Sequence, residues 1–116
     1  MKKIEAIFRQ SKLTDVVQSL HRHGFDGMTV IEAHGLGRDE GQATSYRGGE
    51  ASRQFVPRHR LDLIVEDALA DEAIDAIYQA AHTGEVGDGR IFVTNVDATV
   101  HIRTGVAIGG LHPVGT

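Results

Sequence analysis

The residues best suited to chemistry stand in one run, Thr83-Gly84-Glu85-Val86-Gly87-Asp88-Gly89-Arg90. Its three glycines fall within six residues. Glycine reaches backbone angles closed to other residues and carries no Cβ to hold a ligand away. Successive amide N–H groups in such a turn can form a concave nest for an anion. Arg90 adds a forked cation that suits phosphate. The β-branched and aromatic run Ile91-Phe92-Val93 then predicts a strand that fixes the turn on a rigid element. By local chemistry alone, a glycine-rich connector with a solvated arginine fits equally well. Further cations stand at predicted loop and strand ends, namely Arg38, Arg103 and, when protonated, His101. A polyphosphate needs such a set, and the expectation is that Gly87–Arg90 and His101–Arg103 come close on adjacent strands.

The elements that must position this run follow from periodicity. Lys3 to Arg9 alternates, with Ile4, Ala6 and Phe8 on one face and Ile7 on the other, which predicts a strand. Ser11 is a candidate N-cap for a helix carrying the stripe Leu13, Val16, Val17 and Leu20, stopped at Gly24. Gly27 to Ala33 is β-rich. From Gly35 to Phe55 no period survives, and a stretch of that length is more than a connector. Leu61, Leu63 and Val65 alternate with polar neighbours after Pro57. Asp67 is a candidate cap for a second helix with the stripe Ala70, Ala73, Ile74, Ile77 and Ala81, ended by Gly84. Arg90 to Val96 is a fourth strand and Thr99 to Arg103 a short fifth, before a glycine-rich, weakly anchored tail. The order β-α-β, loop, β-α-β predicts an α+β, ferredoxin-like βαββαβ sandwich in one domain, 1–116, with a short extra C-terminal strand. Alternation leaves Ile7, Ile31, Ile64 and Phe92 on the sheet face away from the helices, which predicts self-association.

Composition removes several classes. The 116 residues carry a net charge of −4, against an electrostatic nucleic-acid binder. Aromatic residues are 5% with no Trp, which also disfavours base stacking. Absence of Cys excludes disulfides, thiolate metal sites and a cysteine nucleophile. No apolar run approaches the ~20 residues of a membrane span, so a cytoplasmic protein without direct membrane insertion is expected. The seven histidines show no HxxxH or HExxH spacing and read as scattered surface or strand-end residues. No Gly-x-Ser-x-Gly elbow or triad is apparent.

The run T-G-E-V-G-D-G-R-I-F-V resembles the C-terminal signature of the PII signalling proteins. Met1–Ile7, Gly27-Met28-Thr29-Val30, Gly35-Leu36-Gly37-Arg38, Tyr46-Arg47-Gly48 and Ile102-Arg103-Thr104-Gly105 fall in that family's order. The resemblance implies a homotrimer that binds adenine nucleotides, ATP, ADP or AMP, in clefts between subunits. It also implies a regulatory T-loop, here about 37–55, that acts on a membrane transporter or a metabolic enzyme, by default in nitrogen regulation. Position by position, Gly87, Asp88, Gly89 and Arg90 match the phosphate loop (about 83–90). Arg38, Arg103 and His101 match phosphate-binding positions. Gly35 and Gly37 match glycines beside the nucleotide. Ile7, Thr29, Asp62 and Ile64 match the adenine and ribose pocket. The effector positions, where the family holds 2-oxoglutarate, are Asp39, Gly41 and Arg58, with Asp39 also a candidate Mg²⁺ ligand.

Five departures from that pattern matter. Arg90 stands where lysine is usual, keeping charge and changing geometry. His101 stands where arginine is usual, which weakens neutralisation of a triphosphate and favours ADP or AMP against ATP. Asp39 and Glu40 put negative charge beside a dianionic effector and argue against 2-oxoglutarate. Ala51 replaces the tyrosine that is uridylylated in many members, so that modification has no acceptor there. A divergent sensor of another small anion such as bicarbonate is the alternative within the family. Outside it stand a CutA-like metal-binding trimer and a slow ATPase, the latter without a well-placed general base.

Overall fold

Alternation in the first strand sets the orientation of the whole sheet. In β1 (Lys2–Arg9), Ile4, Ala6 and Phe8 are at most 1% exposed, while Ile7 faces the other way. The computed structural model describes residues 1–35, 56–113 and 115. Within it, α1 (Leu13–Arg22) follows β1 after a 3-10 turn at Gln10–Lys12. Next come β2 (Thr29–Gly35), β3 (Val56–Val65), a 3-10 turn at Asp67–Leu69, α2 (Ala70–Ala81) and β4 (Gly89–Asn95). The four strands form one antiparallel sheet in the order β2-β3-β1-β4. This is the ferredoxin-like α+β arrangement expected from the element order.

Both helices cover one face of the sheet. Val16 and Leu20 of α1 and Ala73, Ala76 and Ile77 of α2 pack on Ile4, Ala6, Phe8, Leu61 and Leu63. Small residues on α2 let the two helices approach, and the buried Ser19 hydroxyl donates to the Ala76 carbonyl at 2.8 Å. Both helix starts differ from expectation. Neither helix has a side-chain cap, because a 3-10 turn precedes each and moves the true N-cap to Lys12 and Leu69. Ser11 lies inside the first turn. Asp67 lies inside the second, where its carboxylate meets the N-terminal amine at 2.9 Å. Gly24, at φ 88°, follows the end of α1 as expected.

The chain after β4 also differs. The fifth strand is only Thr99–Val100 (β5), and it pairs with Ala107–Ile108 (β6) in a separate two-stranded sheet. The start of the expected mobile tail is therefore the second strand of a hairpin. Carbonyl and amide groups at its tip are satisfied locally: His101 N–H donates to the Val106 carbonyl at 2.8 Å and Gly105 N–H to the His101 carbonyl at 2.7 Å.

The sheet face away from the helices keeps large apolar groups in water. Ile31, Ile64 and Phe92 are 40%, 46% and 45% exposed. Register places Ile31, Arg60, Ile7 and Arg90 in one cross-strand row and Thr29, Asp62, Glu5 and Phe92 in the next. Among the described residues no helix is long and apolar enough to cross a membrane. The layer assignment predicts that Leu20→Ala and Leu61→Ala each lower stability by about 2–5 kcal/mol. Urea melts should show Glu85→Ala, on the exposed turn, within about 0.5 kcal/mol of the parent; the reverse order would contradict it.

Candidate functional site

The turn joining α2 to β4 is built around one carboxylate. Asp88 accepts hydrogen bonds from the Thr83 and Gly84 amides, each at 2.8 Å, and from the Thr83 hydroxyl. Arg9, the last residue of β1, donates from Nε to Asp88 Oδ1 at 3.1 Å and from Nη2 to the Val86 carbonyl at 2.8 Å. Burial alone would push the Asp88 carboxyl up. The donors from Thr83, Gly84 and Arg9 outweigh it and hold the group well below the usual carboxylate range.

This corrects the simplest picture of an amide nest. Thr83 and Gly84 spend their N–H groups on Asp88, and the Glu85 amide donates to the Thr83 hydroxyl at 3.2 Å. The amides of Thr83, Gly84 and Glu85 are thus engaged within the turn itself. The Asp88 carboxylate faces into the turn, so its contribution is to the shape of the site.

Two glycines are sterically required. At Gly89, φ is 103°, and a Cβ would fall 1.8 Å from the Ile7 carbonyl oxygen. At Gly87, φ is 104°, and a Cβ would lie 3.2 Å from Arg9 Nη2 and 3.4 Å from Arg58 Nη2. Two guanidinium tips thus flank Gly87. Arg58, opposite Arg9 in the β1–β3 register, is only 4% exposed.

A cavity of about 390 Å³ opens between the end of α2 and the start of β4. Ile7, Asp88, Gly89 and Arg90 contribute to its wall, with Phe8, Ile77 and Ala81 as apolar floor. Tyr78 and His82 stack beside it, ring centroids 4.7 Å apart at 25°. His82 Nδ1 also lies 3.7 Å from Asp88 Oδ2. Arg9, Tyr78 and His82 were not singled out in the sequence. The i, i+4 spacing of Tyr78 and His82 is the signal that could have found the stacked pair.

The expected site residues fall into separate groups. Ile7 pairs with Arg90 across β1 and β4, next to the turn. Gly35 ends β2 opposite Val56. Thr29 pairs with Asp62 one row further along the outer face, where Arg60 Nη2 meets Asp62 Oδ2 at 3.0 Å. Ile64 lies opposite Lys3, four residues from Ile7 along β1, or about 13 Å at the usual strand rise. His101 and Arg103 stand at the tip of the β5–β6 hairpin, which is not a strand of the main sheet. That hairpin follows the Asn95 end of β4, whereas the turn leads into its Gly89 end. Adjacent strands therefore do not bring His101 and Arg103 to the turn, contrary to expectation. Gly37, Arg38, Asp39 and Gly41, with the rest of the expected T-loop, lie outside the described residues.

The histidines are more structured than their spacing implied. His59 is 8% exposed, on the helix-facing side of β3, 6.5 Å between ring centroids from Phe8. Its parity with Leu61 and Leu63 is the sign that was missed. His101 Nδ1 lies 3.3 Å from the Thr104 amide, which donates to it. Among the described residues no cluster of three His, Asp or Glu side chains could hold a metal ion.

Two predictions follow from the turn. Gly89→Ala should lower the melting temperature sharply while Gly27→Ala, with open space around its Cβ, changes it little; equal effects would refute the close approach. Asp88 has a folded pKa depressed below its unfolded value of about 3.9, so its contribution to stability is complete above that value and lost as pH falls through the folded one. The stability gap between the parent and Asp88→Asn, read by urea titration, should therefore hold near pH 6 and shrink below about pH 4. A gap independent of pH would contradict this account.

Comparison with known proteins agrees along nearly the whole chain. The family model described as Nitrogen regulatory protein P-II matches residues 1–106. A nitrogen regulatory protein P-II of Azospirillum brasilense is 51% identical over 105 residues, covering 90% of this chain and 94% of that protein. Proteins of the same name from Rhodospirillum rubrum and Haemophilus influenzae are 50% and 47% identical over the same shares. The ferredoxin-like sheet, the glycine turn entering β4 and this similarity together place the chain in the nitrogen regulatory protein P-II family, whose members are signal-transduction regulators rather than enzymes.

Proposed function

We propose that this P-II chain is an adenine-nucleotide sensor whose ligand is gripped between two copies of itself in a homotrimer. The observation that carries this reading is the division of the candidate residues. Ile7, Asp88, Gly89 and Arg90 line the cavity beside the turn and Gly87 lies over Arg9, while Gly35 ends β2, separated from β4 by two strands, with Gly37 and Arg38 following it in sequence. Thr29, Asp62, Ile64, His101 and Arg103 belong to the outer sheet face and the hairpin. Each group alone is half of a nucleotide site: one offers backbone and cation for phosphate, the other apolar and hydrogen-bonding groups for the nucleoside and a further arginine. The exposed Ile31, Ile64 and Phe92 supply an apolar reason for copies to assemble.

Bound nucleotide would act by favouring one conformation of residues 37–55, through its differential affinity for the loop states. A membrane transporter or metabolic enzyme would read that conformation, with nitrogen regulation as the process suggested by the relatives' name. Lack of a tyrosine at Ala51 leaves ligand control as the main route. His101 replaces the permanently charged arginine usual at that position, so ADP and AMP compete well with ATP. Arg58 offers a carboxylate-binding guanidinium on the effector side, while Asp39 and Glu40 oppose a dianion such as 2-oxoglutarate, with or without Mg²⁺.

Sedimentation and calorimetric titration test the reading together. A trimer should bind ATP, ADP and AMP with affinities of one order, and His101→Arg should shift the order toward ATP. A monomer, or a protein that takes none of the three, would refute the site. A strong ATP preference in the parent would refute the role given to His101.

A further inference from the structure

We propose that Arg9 is the positioning residue of the phosphate loop, setting the loop in its receptive shape before any ligand arrives; this rests on the nucleotide reading above. Arg9 ends β1, a strand paired on both sides within the sheet, and its guanidinium uses two different edges at once. Nε holds Asp88 and Nη2 holds the Val86 carbonyl. These contacts fasten the turn to β1 across 79 and 77 residues of chain. The hydrogen bonds of Asp88 to Thr83 and Gly84 are internal to the turn, and its 3.7 Å contact with His82 reaches only the end of α2. Arg9 therefore ties the folded turn to β1 by two side-chain bonds.

The same guanidinium fixes Gly87. Its Nη2 would sit 3.2 Å from a Cβ at that residue, so Gly87 passes directly over the Arg9 tip. Gly87 begins the half of the run whose amides are not given to Asp88. Arg9 also stands opposite the buried Arg58, a like-charge neighbour, and the Asp88 carboxylate offsets that repulsion. Lysine could supply the charge but not both bonds, because its single ammonium is not a planar fork. The fork is thus a requirement of geometry as much as of charge. With its guanidinium occupied by Asp88 and Val86, Arg9 acts on a ligand through the loop rather than by touching the phosphates.

The test compares the full-length parent with Arg9→Gln and Arg9→Lys. Amide hydrogen exchange over 83–90 is measured without ligand, and affinities for ATP, ADP and adenosine are measured by calorimetry. Loss of a charge-assisted pair predicts exchange faster by roughly tenfold or more in Arg9→Gln, with ATP and ADP weakened by a similar factor. Adenosine binding should stay within about twofold of the parent, since its contacts lie outside the loop, and Arg9→Lys should fall between. Should Arg9→Gln fail to fold, Arg9→Lys carries the test through the same readings. Unchanged exchange with weakened ATP would overturn the proposal by making Arg9 a direct phosphate ligand. Equal loss for adenosine and ATP would overturn it by making Arg9 a general structural residue. Unchanged exchange and unchanged affinities would overturn it outright. A parent protein that takes no nucleotide defeats the nucleotide reading itself, and exchange then decides alone whether Arg9 locks the loop.

Discussion

A carboxylate that is mostly removed from water must find donors or lose its charge. Asp88 finds them in the Thr83 and Gly84 amides, the Thr83 hydroxyl and the Arg9 guanidinium. Meeting that demand folds the chain between α2 and β4 into one shape. The shape then dictates glycine at 89, where the backbone runs against the Ile7 carbonyl, and at 87, where φ is 104° beside the Arg9 and Arg58 tips. The part of the turn left for any ligand is whatever this arrangement leaves over. A sequence that looks permissive because it is rich in glycine is, in three dimensions, tightly specified.

Much of this was legible in the sequence, and the reasons are specific. Ile4, Ala6 and Phe8 alternate with charged neighbours, so β1 and its buried face could be read directly. The stripes of α1 and α2 were equally plain, since both helices are amphipathic. The helix starts were not, because a 3-10 turn shifts the cap by several residues without changing the apolar period. His59 was misread because a polar residue type hid its core parity. The hairpin escaped because two-residue strands carry no periodic signal. At the site, the glycine run and Arg90 declared themselves by composition. Arg9 did not, since a contact across 79 residues of chain leaves no local trace.

The division of the site follows from the topology. A sheet in the order β2-β3-β1-β4 puts the turn at one end of β4 and lets the hairpin leave from the other. Within one copy the two stay apart. An apolar outer face and a hairpin whose Ile102 is almost wholly exposed are surfaces that a second copy would cover. A ligand at such a junction is well placed to influence residues that leave β2 at Gly35 and return at Val56. That coupling belongs to signalling rather than catalysis, in keeping with the family.

The claim that the site is completed across copies has a direct test in subunit mixing. Arg90→Gln removes the cation beside the turn, and Arg103→Gln removes the one on the hairpin. Each variant assembled alone should bind ATP poorly. If neighbouring copies share each site, co-refolding the two in equal amounts should restore tight binding in about a quarter of the clefts, those that pair an intact turn with an intact hairpin. Mixed assemblies that bind no better than either variant alone would contradict the account, since a site contained within one chain cannot be rescued by its neighbour.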